Sequence, residues 1–240
     1  MVIYNKDGPH EPLEDLSLTS GAVTVYFRMI EENFVRHVAE ADAVFGCMAW
    51  LTNASLLRAL ADVKEGVQII VQKEDFLRPD QKDWHSVTGD NFKVSLRIAY
   101  DRLNVIPWRP DVPGTLAGLS CCEATPLHAV RCVGIHNKIK KIACPRMHNK
   151  FMVFCRVKHE TLPLWENRGT YTTTEYVPYA VWTGSFNFSH NATKSFENVV
   201  VIEDAAIAQA YCEEWSQIAA LSEPLDWDSD WVEPQWCIGT

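Results

Sequence analysis

Between Ala43 and Val71 the chain spells out a strand, a helix and a second strand, and this unit constrains the fold more than any other stretch. The longest apolar run, near 43–51, reads as a buried strand whose body is 44–50. Asn53 then caps a helix that carries Leu56, Leu57, Leu60 and Ala61 on one face and ends at Gly66. Residues 67–71 form the next apolar strand. Two strands linked by a helix cannot pair through a tight turn, so the order implies a parallel pair with a right-handed crossover. The expected class is α/β.

The flanking segments extend this pattern. Met29, Phe34, Val35 and Val38 recur at helical spacing, so 28–40 is expected to be an amphipathic helix. Residues 94–99 and 129–135 are strand candidates, and 101–120, with Pro107, Pro110 and Pro113, is loop. Residues 198–202 read as a buried strand, and Asp204 caps a final helix carrying Ile207, Ala210, Tyr211, Trp215 and Ile218. An acidic tail, 223–240, holds Trp227, Trp231 and Trp236 and either folds back or packs on a partner. A chain of 240 residues suits one sizeable core, so 1–240 is expected to be a single domain. Hydrophobic content of 47% and nine tryptophans exclude disorder. No apolar run approaches the length of a membrane span, and Met1 to His10 lack a signal-peptide core. A cytoplasmic location is expected.

There the eight cysteines are reduced thiols, and Cys47, Cys155 and Cys212 sit inside apolar segments where they pack as small hydrophobes. Cys121, Cys122, His128, Cys132 and Cys144 contain ligand types for zinc, but no Cys-x-x-Cys pair is present and adjacent cysteines are awkward ligands. No metal and no cofactor is expected.

The net charge of −9 argues against nucleic acid until the charges are located. From Ala124 to His159 there is no acid, yet Arg131, Lys138, Lys140, Lys141, Arg146, Lys150, Arg156 and Lys158 fall there. From Ser195 to Thr240 there is no lysine or arginine, but ten acids. The acidity is C-terminal, and the basic stretch suits a polyanion, with Lys138, Lys140, Lys141 and Arg146 as candidate substrate-binding residues.

That basic stretch runs into His148-Asn149-Lys150, followed by apolar Phe151 to Phe154 and later by Gly184-Ser185-Phe186-Asn187. An imidazole and an ammonium two residues apart at the mouth of a strand point the same way. The imidazole can attack phosphorus or carry a proton, and the ammonium can neutralise phosphate charge in the transition state. Small polar donors in a Gly-Ser-x-Asn loop suit the remaining phosphate oxygens. His136-Asn137-Lys138 repeats the tripeptide, but charged Ile139-Lys140-Lys141 follows it rather than an apolar strand. It reads as a loop.

His148, Lys150, Ser185, Asn187 and Glu197, together and in order, resemble the phospholipase D superfamily, whose signature is His-x-Lys-x4-Asp followed by Gly-Ser-x-Asn. Ser195 to Ile202 looks like the family's Glu-Asn strand, and 43–71 resembles its opening strand, helix and strand. The resemblance implies a mixed, mostly parallel sheet flanked by helices on both faces. It also implies that Glu197 orients the histidine. This sequence departs from the pattern twice. The family's Asp position is Cys155, and 33 residues, 151 to 183, separate Lys150 from Gly184. Strands at 151–155 and 179–183 are expected to bracket an inserted segment, 156–178, with Glu166-Asn167-Arg168-Gly169 as the turn of a hairpin.

The motif occurs once. Similarity to the small homodimeric endonucleases of the superfamily implies a homodimer sharing one active site, which cleaves DNA or RNA through a phosphohistidine without a metal. Two alternatives stand beside it. One is a phospholipase or cardiolipin hydrolase. The other is a catalytically weak nucleic-acid-binding module, for which Cys155 is the argument.

Overall fold

The computed structural model describes residues 4–5, 8–9, 14–74, 77, 90–106, 128–134, 147–164 and 169–226, with side chains described from 14 onward except those of 90–93. The Trp-rich end of the tail, 227–240, and the basic residues 135–146 lie outside the described residues.

A two-residue pair, β1 (Tyr4–Asn5) and β2 (Gly8–Pro9), stands apart from the main sheet. The main sheet comprises β3 (Leu18–Ser20), β4 (Val23–Tyr26), β5 (Ala43–Met48), β6 (Val67–Gln72), β7 (Val130–Val133), β8 (Lys150–Pro163), β9 (Thr170–Gly184) and β10 (Val199–Ile202). Its strand order is β3-β4-β10-β9-β8-β5-β6-β7. Only β5–β6 and β6–β7 pair in parallel, and the other pairings are antiparallel. The sheet is therefore mixed, as expected, but mostly antiparallel rather than mostly parallel. The reason is connection length. Parallel pairing needs a crossover, and helix-bearing links run from β5 to β6 and from β6 to β7, whereas β3 and β4 are joined through Gly21 and Ala22 alone and β8 and β9 are successive arms of one hairpin.

Among the described residues, four α-helices clothe both faces: α1 (Ile30–Ala39), α2 (Ala54–Ala61), α3 (Asp90–Asp101) and α4 (Ala205–Ala220). Asn53 caps α2, its side chain accepting from the backbone N–H groups of Ser55 and Leu56 at 2.8 and 3.2 Å. Asp204 caps α4 by accepting from Ile207 N–H. Residues 94–99, expected as a strand, lie inside α3. Their Val-x-Leu-x-Ile alternation misleads, because the side chains that bury are Leu96, Tyr100 and Leu103 at helical spacing, while Val94 and Ile98 are exposed.

Central strand β5 is buried on both faces, as its unbroken apolar run requires. Val44 and Met48 pack with Phe34, Leu56, Leu60, Phe154 and Trp182 beneath α1 and α2. Ala43, Phe45 and Cys47 pack on the other side with Val153, Val181, Cys212 and Trp215 of α4. Gly46 lies between them, where an added Cβ would meet the Met152 sulfur.

The inserted segment is a hairpin, but it adds no separate strands. β8 and β9 simply continue past the sheet, paired from Phe151↔Thr183 to Pro163↔Thr170, with a register shift at Phe154/Cys155. Leu164 N–H donates to Gly169 O at the end of the paired arms, and Glu166, Asn167 and Arg168, expected in the turn, lie outside the described residues.

Candidate active site

Strand register gathers the motif residues at one edge of the sheet. Met48 pairs with Lys150, Phe151 with Thr183, Gly184 with Val199, and Val199 with Tyr26. The C-terminal ends of β4, β5 and β9 and the N-terminal ends of β8 and β10 therefore share this edge. The loops carrying His148, Ser185 and Glu197 all leave from it.

His148 and Lys150 project together, as the two-residue spacing predicts. Lys150 Nζ lies 3.4 and 3.3 Å from the two ring nitrogens of His148 and donates to the His148 carbonyl at 2.9 Å. His148 is exposed and Lys150 half-buried. Partial burial, the larger effect, pulls the Lys150 pKa below the usual lysine value, and the Glu197 charge pushes it back up.

Ser185 Oγ donates a short hydrogen bond to the Glu197 carboxylate and accepts one from Asn198 N–H at 3.1 Å. Ser185 N–H donates to Asn198 O at 3.0 Å. Gly184 permits this close approach, since a Cβ there would sit 2.3 Å from Asn198 O. Glu197 thus holds the Ser185 hydroxyl, and that hydroxyl, not the His148 imidazole, is its hydrogen-bond partner. Half-buried Asn187 keeps its Oδ1 enclosed and without a hydrogen-bond partner among the described residues. Lys138, Lys140, Lys141, Arg146 and His136 lie outside the described residues.

Cys155 is buried between β8 and α4. It sits five residues along the strand from Lys150, roughly 17 Å away at ordinary strand rise. Burial and then the adjacent Cys212 thiol push its pKa up, so it stays a neutral thiol remote from the motif. Cys47, Cys132 and Cys212 are likewise free and buried. Of the zinc candidates, Cys132 bonds to main-chain oxygens of Glu223 and Pro224, while Cys121, Cys122 and Cys144 lie outside the described residues. Among the described residues, no three His, Cys, Asp or Glu side chains converge on one point.

One supporting residue escaped sequence reasoning. Gln72, at the end of β6, is buried; its Oε1 accepts from Met147 N–H at 2.7 Å and its Nε2 donates to Lys73 O at 3.0 Å. The amide thereby pins the backbone just before His148. The only signal in the sequence is a glutamine closing an apolar strand. Behind it, buried Lys73 forms an ion pair with Glu223.

Among known proteins, Uncharacterized protein L381 of Acanthamoeba polyphaga mimivirus is 27% identical over 218 residues, covering 88% of this chain and 70% of that protein. NucT from Helicobacter pylori aligns at a TM-score of 0.48 and 12% identity, over 84% of this chain and 98% of NucT. The phospholipase D family member Nuc from Salmonella typhimurium aligns at 0.43 and 14% identity, over 84% of this chain and 95% of Nuc. The sequence model of the family described as "Cardiolipin synthase, PLD-like domain" matches residues 39–219. That span holds the whole His-x-Lys, Gly-Ser-x-Asn and Glu set, and the chain belongs to this PLD-like family, as a phosphodiesterase-type hydrolase of the phospholipase D superfamily.

Proposed function

We propose that the protein is a metal-independent endonuclease that cleaves DNA or RNA through a covalent phosphohistidine, as a homodimer sharing one active site. The observation that carries this reading is the pairing of the His148 ring with the Lys150 ammonium beside the Ser185–Glu197 pair. The His148 nitrogen attacks phosphorus, and the P–O bond to the leaving oxygen breaks. That oxygen takes a proton from the partner's His148. The same partner imidazole then removes a proton from water, whose oxygen attacks phosphorus and releases His148. Lys150 and the hydroxyl and amide of Ser185 and Asn187 neutralise and orient the phosphate oxygens. Glu197 fixes Ser185 and, through its charge, favours the protonated form of Lys150 against the opposing effect of burial. The choice of a polynucleotide rests on the acid-free stretch from Ala124 to His159, with Lys138, Lys140, Lys141 and Arg146 as phosphate contacts. Buried free thiols suit a reducing, cytoplasmic setting.

A lipid phosphodiester is the second reading, favoured by the description of the matching family. No helix among the described residues is long and apolar enough to cross a membrane. Parallel assays on plasmid DNA, RNA and cardiolipin vesicles with excess chelator separate the two. Cleavage of nucleic acid is expected, and lipid hydrolysis alone would replace the first reading with the second. Cleavage restored only by added metal would end the metal-free mechanism.

A further inference from the structure

A cavity of about 590 Å³ opens on the same sheet edge as the His148–Lys150 pair. One wall is Phe27 to Glu32, where β4 turns into α1, and the other is Phe186 with Ala192 to Ser195. Phe186 lies between Ser185 and Asn187 in the motif loop, and Ser195 stands two residues before Glu197. Tyr26, Val199 and Gly184 are consecutive partners across three neighbouring strands, so the cavity mouth lies about 10 Å, two strand spacings, from Gly184.

The lining is unusual for a surface that serves only folding. Met29 takes φ 51°, the left-handed region, although it is not glycine. This turn leaves its side chain 64% exposed beside Phe27, which is 36% exposed, and Phe196 just beyond Ser195 is 65% exposed. None of the three belongs to either apolar core. Strain that presents an apolar side chain to solvent points to a role in binding. Arg28 and Lys194 place two cations on the same walls. Glu31 and Glu32 add carboxylate acceptors, and Glu31 is steadied by Asn53 Nδ2 at 3.0 Å.

We infer that this cavity is a subsite for an unpaired nucleotide next to the scissile phosphate. It rests on the polynucleotide reading above and adds how the flanking residue is held. A base stacks against Phe27 and Met29, as any base can on an apolar or aromatic face. The glutamates accept hydrogens from its amino edge, as carboxylates do from cytosine N4. Arg28 and Lys194 meet the adjoining phosphate. The volume is that of an ordinary small-ligand pocket, and a base paired in a duplex cannot enter it.

The test uses a short oligonucleotide with one cleavable phosphodiester among methylphosphonates, and an abasic residue on one side of it or the other. For the wild-type protein, kcat/KM is expected to fall about tenfold when the abasic residue occupies one of the two sides, and little on the other. For Phe27→Ala/Met29→Ala, that loss is expected to vanish. Equal losses in wild type and variant, or no loss on either side, overturn the inference. So does a variant that changes from dimer to monomer in light scattering, which would make this face a subunit contact. If the double alanine variant does not fold, Arg28→Gln/Lys194→Gln serves in its place. It is expected to remove the wild-type preference for a charged neighbouring phosphate over a methylphosphonate, and an unchanged preference overturns the inference. A wild-type protein that cleaves no oligonucleotide refutes the polynucleotide reading, and the subsite with it.

Discussion

Lys150 carries much of the electrostatics of this edge. Its ammonium is half-buried, which lowers its pKa, and the Glu197 charge opposes that fall. The sign follows directly: the positive charge is lost at a lower pH than for a free lysine, so activity that needs it declines earlier on the alkaline side. Glu197→Gln removes the opposing charge and is expected to move the Lys150 titration further down. Carbon-13 NMR of the lysine ε-methylene checks this, and a Lys150 that titrates as a free lysine in the wild type contradicts it. Cys155 lies within β8, five residues on from Lys150. Because it is remote from the motif and buried against α4, Cys155→Ser is expected to cost about 1–3 kcal/mol of stability while leaving kcat within about twofold. A large loss of kcat in a folded Cys155→Ser protein would tie that position to the chemistry.

At the scale of elements, the strand ends that form the site are held from below by buried polar groups. Gln72 pins the approach to His148, and next to it Lys73 meets Glu223 beyond the end of α4. Truncating one partner of a buried ion pair is strongly destabilising, so Glu223→Ala is expected to destabilise the protein by about 3–5 kcal/mol, read by urea unfolding. A loss below about 1 kcal/mol would show that another group or water meets the Lys73 charge. Most elements were legible because local signals agreed with the fold: Asn53 and Asp204 cap their helices, and the apolar runs at 44–50 and 67–71 lie within or beside β5 and β6. α3 was not legible, because alternation at 94, 96 and 98 outweighed the helical spacing of the side chains that bury. The antiparallel majority was also hidden, since pairing depends on which strands become neighbours and no local period encodes that. The motif residues were readable from their types and order. Gln72 was not, because a buried amide announces itself only through the backbone groups it meets.

For the whole molecule, one copy of the motif supplies one imidazole, while the two-step reaction needs a nucleophile and a separate acid on opposite sides of phosphorus. The proposed two-fold axis beside this edge would supply both. Light scattering at micromolar concentration is expected to give twice the 27.3 kDa chain mass. Mixing wild type with excess His148→Ala after reversible dissociation is expected to abolish activity as mixed dimers form, since each lacks either the nucleophile or the acid. A fully active monomer would contradict the shared site and turn attention to His136. The most direct measurement is a rapid acid-free quench of wild-type protein turning over radiolabelled phosphodiester in excess chelator, followed by mapping of the labelled peptide. A phosphoramidate on His148, alkali-stable and acid-labile and missing from His148→Ala, is the predicted result. Turnover without any protein-bound phosphorus, or label on another residue, would contradict it.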